Sequence, residues 1–252
     1  MPSCTRRDRN SSVDAELEGE SGTSTWEAEM EPETKRQAKP SMGAALLVVH
    51  EFLTRGMDVS IDHIEEQRQV PVGEARKGFA DYLHCLSSLL NAHHITEDEI
   101  AFPYLRKLIP DAPYDMLSAD HKIMEPLIER LDTFSAQWKA GDDEKLDELD
   151  TTLQEFKGIW HPHIAVEQKF YEPTRLEGLI EPEEHTRLIQ QMSQYTQQHS
   201  DPPFLIVPFI LYNIPADKRT MLTSQMPPQI IEQLVPIDWK DQWAPMKPFL
   251  LE

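Results

Sequence analysis

The stretch His93-His94-Ile95-Thr96-Glu97-Asp98-Glu99-Ile100-Ala101-Phe102-Pro103 decides how this chain reads, and His163-Ile164-Ala165-Val166-Glu167 repeats its essential spacing. Each holds a histidine and a glutamate at i and i+4, which on an α-helix share one face a single turn apart. Each also lies in a stripe of apolar residues at helical spacing. The first stripe reads Phe79, Tyr82, Leu86, Leu89, His93, Glu97, Ile100, Tyr104. The second reads Leu146, Leu149, Leu153, Phe156, Trp160, His163, Glu167, Phe170. Imidazole and carboxylate thus stand where a core-facing stripe would hold hydrophobes. Burying such groups costs several kcal/mol each unless they are paired or bound to a cation. A metal is the simplest way to satisfy all four.

Two further stripes extend the pattern. His50 sits in Leu46, His50, Leu53, Met57, Ile61, Ile64, and His121 in Leu117, His121, Met124, Ile128, Leu131, Phe134. A lone histidine on an apolar face is more often a hydrogen-bonded core residue than a ligand. Four in register on four helices, two of them followed by Glu one turn later, outweigh that reading. Four imidazoles and two carboxylates suit two mid-hardness ions such as iron or manganese. A structural zinc would take about four ligands with thiolates common, and calcium or magnesium would take oxygen throughout. Bundle cores are where ferritin-like di-iron proteins build comparable sites, with more carboxylate and less histidine. His94 and His161 stand beside candidate ligands but about 100° further round the helix, so they read as residues flanking the site or on the surface. His63, His84, His185 and His199 read as solvated. Glu99 and Glu125 read as surface acids or supports for the ligands, with Glu125 the alternative candidate for an extra ligand.

These residues resemble a known family. His93-His94 through Glu97 to Phe102-Pro103 is similar to the signature of hemerythrin-like proteins, in which a His-His pair, a Glu three residues on and a Phe-Pro close the second helix. His163 to Glu167 resembles the fourth-helix counterpart, and Asp120-His121 the start of the third. The resemblance spans roughly residues 42 to 196. It implies an all-α, up-and-down four-helix bundle around a non-haem di-iron centre, with manganese or a mixed pair as variants. It also implies His50, His93, Glu97, His121, His163 and Glu167 as ligands, the two glutamates bridging. The oxygen carriers of that family have an additional His one turn after the third-helix His, where this chain has Glu125. The four-His, two-Glu set is closer to the branch linked to nitric oxide and to repair of iron centres. That branch often carries a cysteine-bearing N-terminal module, which this chain lacks.

Three function classes follow. The first is a protein binding O2, NO or peroxide, or iron itself, in a sensing, storage or stress role. The second is a di-iron oxidoreductase that activates O2 and oxidises a small organic substrate, for example in fungal secondary metabolism. The third, a structural protein that retains only the fold, is disfavoured by the complete donor set. Histidine-rich iron sites favour reversible binding and carboxylate-rich ones favour oxygen activation, and this set is intermediate.

Composition narrows the setting. A net charge of −20 over 252 residues argues against nucleic acid and anionic membranes as partners, since both call for a cationic face. Two cysteines, Cys4 and Cys85, offer neither a disulfide framework nor a thiolate metal site, which suits a reducing compartment. The N-terminus has no apolar stretch to act as a signal, and the longest apolar run, residues 204–212, is too short to span a bilayer. The expectation is a soluble cytoplasmic protein. No Gly-rich phosphate loop and no Gly-Xaa-Ser-Xaa-Gly elbow occurs.

Along the chain, residues 1–39 read as a disordered tail rich in Ser, Thr, Glu and Arg, with Trp26 its sole aromatic. Residues 40–200 read as the bundle. Its helices are expected over about 41–66, 75–108 with an interruption near Pro103 or Pro110, 114–141 and 142–171, where Pro162 removes one backbone donor. A further helix is expected from Glu181 to about His199. Residues 201–252 hold nine of the 20 prolines together with Phe204, Phe209, Tyr212, Trp239, Trp243 and Phe249. So many prolines forbid long helices, and so much apolar surface calls for cover. Short helices wrapped on the bundle are the expectation. This segment is similar to an extension seen in fungal hemerythrin-like proteins.

Overall fold

Ser41 opens the ordered bundle: its Oγ accepts from the Ala44 amide, satisfying one of the free donors at a helix start. The computed structural model describes residues 41–71, 73–140, 145–223 and 226–251, so the tail expected over residues 1–39 lies outside the described residues. Four long helices follow one another: α1 (Met42–Asp62), α2 (Glu74–Thr96), α3 (Tyr114–Ala140) and α4 (Leu146–Phe170). Each packs on the next in sequence, and α4 closes against α1. Neighbours in the chain are therefore neighbours in space, as in an up-and-down bundle. The described residues contain helices and no strands.

Two boundaries differ from the periodicity reading. The first helix ends at Asp62, and Ile64–Gln67 forms a separate turn. The second ends at Thr96 rather than near Pro103 or Pro110. A π turn covers Glu97–Ala101, and a last α turn covers Phe102–Leu105. Pro103 stands in the first turn of that last segment, directly after the Phe102 amide closes the π turn onto the Glu97 carbonyl. A π turn widens the helix by one residue per turn and recurs at functional sites; here it begins on Glu97 itself.

The core is divided by register. On α1 the lower apolar cluster holds Met42 and Leu46, the upper one Leu53 and Met57, and His50 falls between. On α2 and its continuation, upper Leu86 and Leu89 are separated from lower Ala101 and Phe102 by His93 and Glu97. Leu117 and Met124 flank His121 on α3, and on α4 His163 and Glu167 lie between Trp160 and Tyr171. All four bundle helices therefore interrupt their apolar face at one level. A single buried polar layer separates two hydrophobic clusters.

A fifth helix, α5 (Pro182–His199), starts with proline at its first position and lies across α1 and α2. The chain continues through α6 (Pro203–Tyr212), Ala216–Thr223, a π-type segment Ile230–Asp238, Lys240–Trp243 and a 3-10 segment Ala244–Phe249. Phe209, Trp243 and Phe249 are buried in the upper cluster, and Phe204, Tyr212 and Trp239 pack partly buried against it. Backbone approach is closest where Pro245 crosses α2: a Cβ added to Gly78 would stand 1.9 Å from the Pro245 carbonyl oxygen, so only glycine fits. Arg55 of α1 donates to the Phe249 carbonyl (3.0 Å) and to Asn213 Oδ1, to which Tyr82 Oη also donates (2.7 Å). Asn213 is fully buried, so this knot ties the C-terminal segment to α1 and α2 with its polar groups matched. No described helix is long and apolar enough to cross a membrane.

Candidate metal centre

Because His and Glu sit one helical turn apart on α2 and α4, each helix aims an imidazole and a carboxylate at the bundle axis. His93 Nε2 lies 3.3 Å from Glu97 Oε2, and His163 Nε2 lies 3.4 Å from Glu167 Oε1. The remaining helices cross-link the pairs. His50 Nε2 of α1 is 3.2 Å from Glu167 Oε2, and His121 Nε2 of α3 is 3.4 Å from Glu97 Oε2. All six are 5% exposed or less. The residues form two overlapping clusters, His50, His93, Glu97, Glu167 and Glu97, His121, His163, Glu167, whose donor atoms lie within 4.8 Å of one another. Both carboxylates belong to both clusters.

The hydrogen-bond accounting inside this layer does not close with protein atoms alone. His50 Nε2, His93 Nε2 and all four oxygens of Glu97 and Glu167 are buried without a hydrogen-bond partner. Each such orphan costs about 1–3 kcal/mol, and six in one small volume point to a positive charge that they share. Their spacing fits that reading. Donors bound side by side at roughly 2.1 Å from one cation stand roughly 3 Å apart, close to the separations found. The set fits a metal ion, or two, on geometry and on donor chemistry.

Electrostatics sort the groups further. Burial, with the neighbouring Glu167 charge second, raises the Glu97 carboxyl to about 7. Burial also opposes ionisation of Glu167, but the His163 and His50 imidazoles beside it outweigh burial and hold that carboxyl well below the usual range. Burial keeps His93 and His94 neutral, far below the ordinary imidazole value, and His50 and His121 respectively reinforce this. His121 behaves oppositely: burial works against its charge, yet its hydrogen bond to Asp98 and the neighbouring Glu97 carboxylate push it up to about 10. His163 is also raised, through Glu167 acting against burial. His121 Nε2 and His163 Nε2 nevertheless face each other at 3.1 Å. Two protons cannot occupy that gap, whereas one cation bound to both lone pairs can.

The far nitrogens of this pair are pinned. His121 Nδ1 is 3.0 Å from Asp98 Oδ2, and His163 Nδ1 is 3.3 Å from Asp120 Oδ2. A carboxylate on Nδ1 fixes the proton there and leaves Nε2 as the donor, a common arrangement behind metal-bound histidine. Ser118 donates to the other Asp98 oxygen. The sequence assigns no role to Asp98 or Asp120; their one visible signal is adjacency to Glu97 and His121.

Of the two places expected for His94, flanking the site or on the surface, the structure has the first. His94 is buried at 5% exposure, and its ring stacks on His121 at 4.2 Å and 13°. With His121 and His163 it forms a third cluster of convergent donors. His185 is also buried, contrary to the solvated reading: its Nδ1 accepts from the Met42 amide at 3.2 Å, which ties α5 to the start of α1. His161, His199 and Glu125 are exposed, and His63 and His84 are partly exposed. Tyr171, one turn beyond Glu167, carries a buried hydroxyl without a partner; burial, then the charges of Glu97 and Glu167, keeps it protonated.

Comparison with curated proteins and with solved structures returns no match. The helices α1 to α4 that carry these residues are the part of the chain that a family model recognises. That model describes the hemerythrin HHE cation binding domain and matches residues 43–174, more than half of the chain. From His50 to Glu167 every residue of the buried layer falls within it, and the chain belongs to the hemerythrin HHE cation-binding family.

Proposed function

We propose that this protein holds two iron ions between its four helices and uses them to bind O2, NO or peroxide in a sensing, storage or stress role. One position takes His50 and His93, the other His121 and His163, and Glu97 and Glu167 serve both. The observation that carries this reading is the double membership of the two glutamates: both clusters of convergent donors contain both of them. Manganese or a mixed pair suits the same donors. When bound, such a pair supplies electrons and open coordination positions for a small ligand.

The chain's own residues prepare that chemistry. Asp98 and Asp120 hold the Nδ1 protons of His121 and His163 and so orient their rings. Trp160 stands edge-on to His50 and His93, each at 5.7 Å, and anchors itself by donating from Nε1 to Thr54 Oγ1 at 2.9 Å. Phe102 lies nearly parallel to His121 from the lower cluster. These rings keep bulk water from the layer, so that donors and charges interact strongly. The acidic chain and its scarcity of cysteine suit a reducing, cytoplasmic setting.

A second reading, an oxidoreductase acting on an organic substrate, is favoured by one feature. A groove of about 490 Å³ runs beside α1 and α4, lined by His50, Glu51, Thr54, Arg55, Asp58 and Gln168. It would bring a polar substrate to the His50 side of the layer. Iron-supplemented expression followed by metal analysis tests the first reading, with about two iron per chain expected; a single tightly held zinc with no iron overturns it. Exposing the reduced protein to O2 then separates the two roles. An absorption change that reverses on deoxygenation supports binding, whereas a transient that decays as an added substrate is consumed supports the oxidoreductase.

A further inference from the structure

His94 is the one buried imidazole of the layer that the two-position scheme leaves unused. Its ring lies within the bundle because the apolar face of α2 is wide: Leu90 and Leu83, its partners one and three turns earlier, are themselves fully buried. The Nε2 atom is buried and has no hydrogen-bond partner. Five rings surround it, and two of them are the histidines of one cluster: His121 stacked at 4.2 Å and His163 edge-on at 6.1 Å, with His93, Trp160 and Phe156 beside them. One donor atom from each of the three histidines lies within 4.8 Å of the others. A neutral imidazole placed there for packing alone would strand a polar nitrogen that a phenyl ring would not, at a cost of about 1–3 kcal/mol.

We propose that His94 is a seventh metal donor, completing a three-imidazole face with His121 and His163 on one of the two metal positions. The inference rests on the two-metal reading above. It makes the pair unequal: one ion is held by three imidazoles and the shared carboxylates, the other by His50, His93 and the same carboxylates. The position with fewer imidazoles is then the one with more room for a small ligand and the one whose metal leaves first.

Stepwise titration of the metal-free full chain with cobalt(II), followed by its visible absorption, tests this. The wild type should show two binding events of unequal affinity. His94→Phe keeps a ring to stack on His121 but removes the nitrogen. It should weaken the tighter event by about ten- to a hundredfold and leave the other nearly unchanged. His93→Ala should do the reverse. If His94→Phe does not fold, judged by the helical circular dichroism of the metal-free protein, His94→Gln gives the same comparison. Two events of unaltered affinity in the substituted protein would overturn the seventh-donor role and leave the two-metal reading standing. A wild type that takes up only one cobalt would overturn both.

Discussion

His121 and His163 form a half of the polar layer that is braced from behind, whereas His50 and His93 form a half that is not. Asp98 and Asp120 sit on the far nitrogens of the first pair, and His94 stacks against it. Among the described residues, the hydrogen-bond partner behind His50 is Gln168, whose amide nitrogen is 3.5 Å from Nδ1. That contact is long, and an amide can present either nitrogen or oxygen, so it fixes no tautomer. The described hydrogen bonds give His93 no carboxylate at its far nitrogen. The same four-helix repeat has thus produced two donor clusters of similar type but different hydrogen-bond support. Metal affinity depends on such bracing as much as on the donors themselves.

The largest expected effect tests what the halves share. Glu97→Ala or Glu167→Ala removes a donor from both clusters, so either should cut retention of both metals together. His50→Ala should empty mainly one position. Metal content after extensive dialysis is the measurement. A Glu97→Ala protein that keeps a full pair would show that the carboxylates do not link the halves.

The braces come next. Asp98→Asn and Asp120→Asn leave every donor in place but remove the charge that fixes the Nδ1 proton. Each should lower affinity at the His121–His163 position by about ten- to a hundredfold. Gln168→Ala should change the other position by less than the aspartate substitutions change theirs. Equal losses from Gln168→Ala and Asp120→Asn, read by competition with a chelator of known affinity, would erase the distinction drawn here.

How much of this was legible in the sequence follows from which forces act locally. Helical periodicity alone places His50, His93, Glu97, His121, His163 and Glu167 on inward faces, because register within one helix is fixed by geometry. The braces were not legible, since Asp98 leaves α2 to hold a histidine of α3, and Asp120 leaves α3 to hold one of α4. Those partners exist only once helices pack. Periodicity leaves His94 open between flanking the site and the surface, because a rotation of about 100° from a ligand leaves the core on a helix packed on one side but not on one enclosed on several sides. His185 differs from the solvated reading because α5 folds back over α1: the stripe His185, Leu188, Ile189, Met192 marks one face of α5 as packed, but not what covers it. The π turn at Glu97–Ala101 is likewise invisible to a pattern that assumes 3.6 residues per turn.

Acidity should separate the halves by a smaller margin. His121 is held protonated up to about 10 and Glu97 up to about 7, while His93 is kept neutral by burial. A metal entering the His121–His163 position must displace the His121 proton, so affinity there should rise with pH. One displaced proton gives about tenfold per pH unit. Below about 7 the Glu97 proton must leave as well, which steepens the dependence. His93 has no proton to lose, so the other position should respond chiefly through Glu97. Proton release measured in weakly buffered solution during metal addition checks this; a flat profile on both events would contradict the sign and the assignment.

Tyr171 offers the smallest and most direct comparison, between the layer with and without its ions. Its hydroxyl is buried one turn beyond Glu167 and has no partner among protein groups. In the metal-free protein Tyr171→Phe removes an unsatisfied polar atom while keeping the ring packed in the lower cluster, and should stabilise the fold by about 1 kcal/mol. A small ligand or a metal-held water in the layer would give that hydroxyl something to donate to. The same substitution should then be neutral or destabilising in the metal-loaded protein. Thermal melting of both proteins with and without metal supplies the four values needed. An equal shift in both states would mean that Tyr171 answers to the apolar cluster alone, whereas a change of sign would place its hydroxyl among the groups that serve the metal layer.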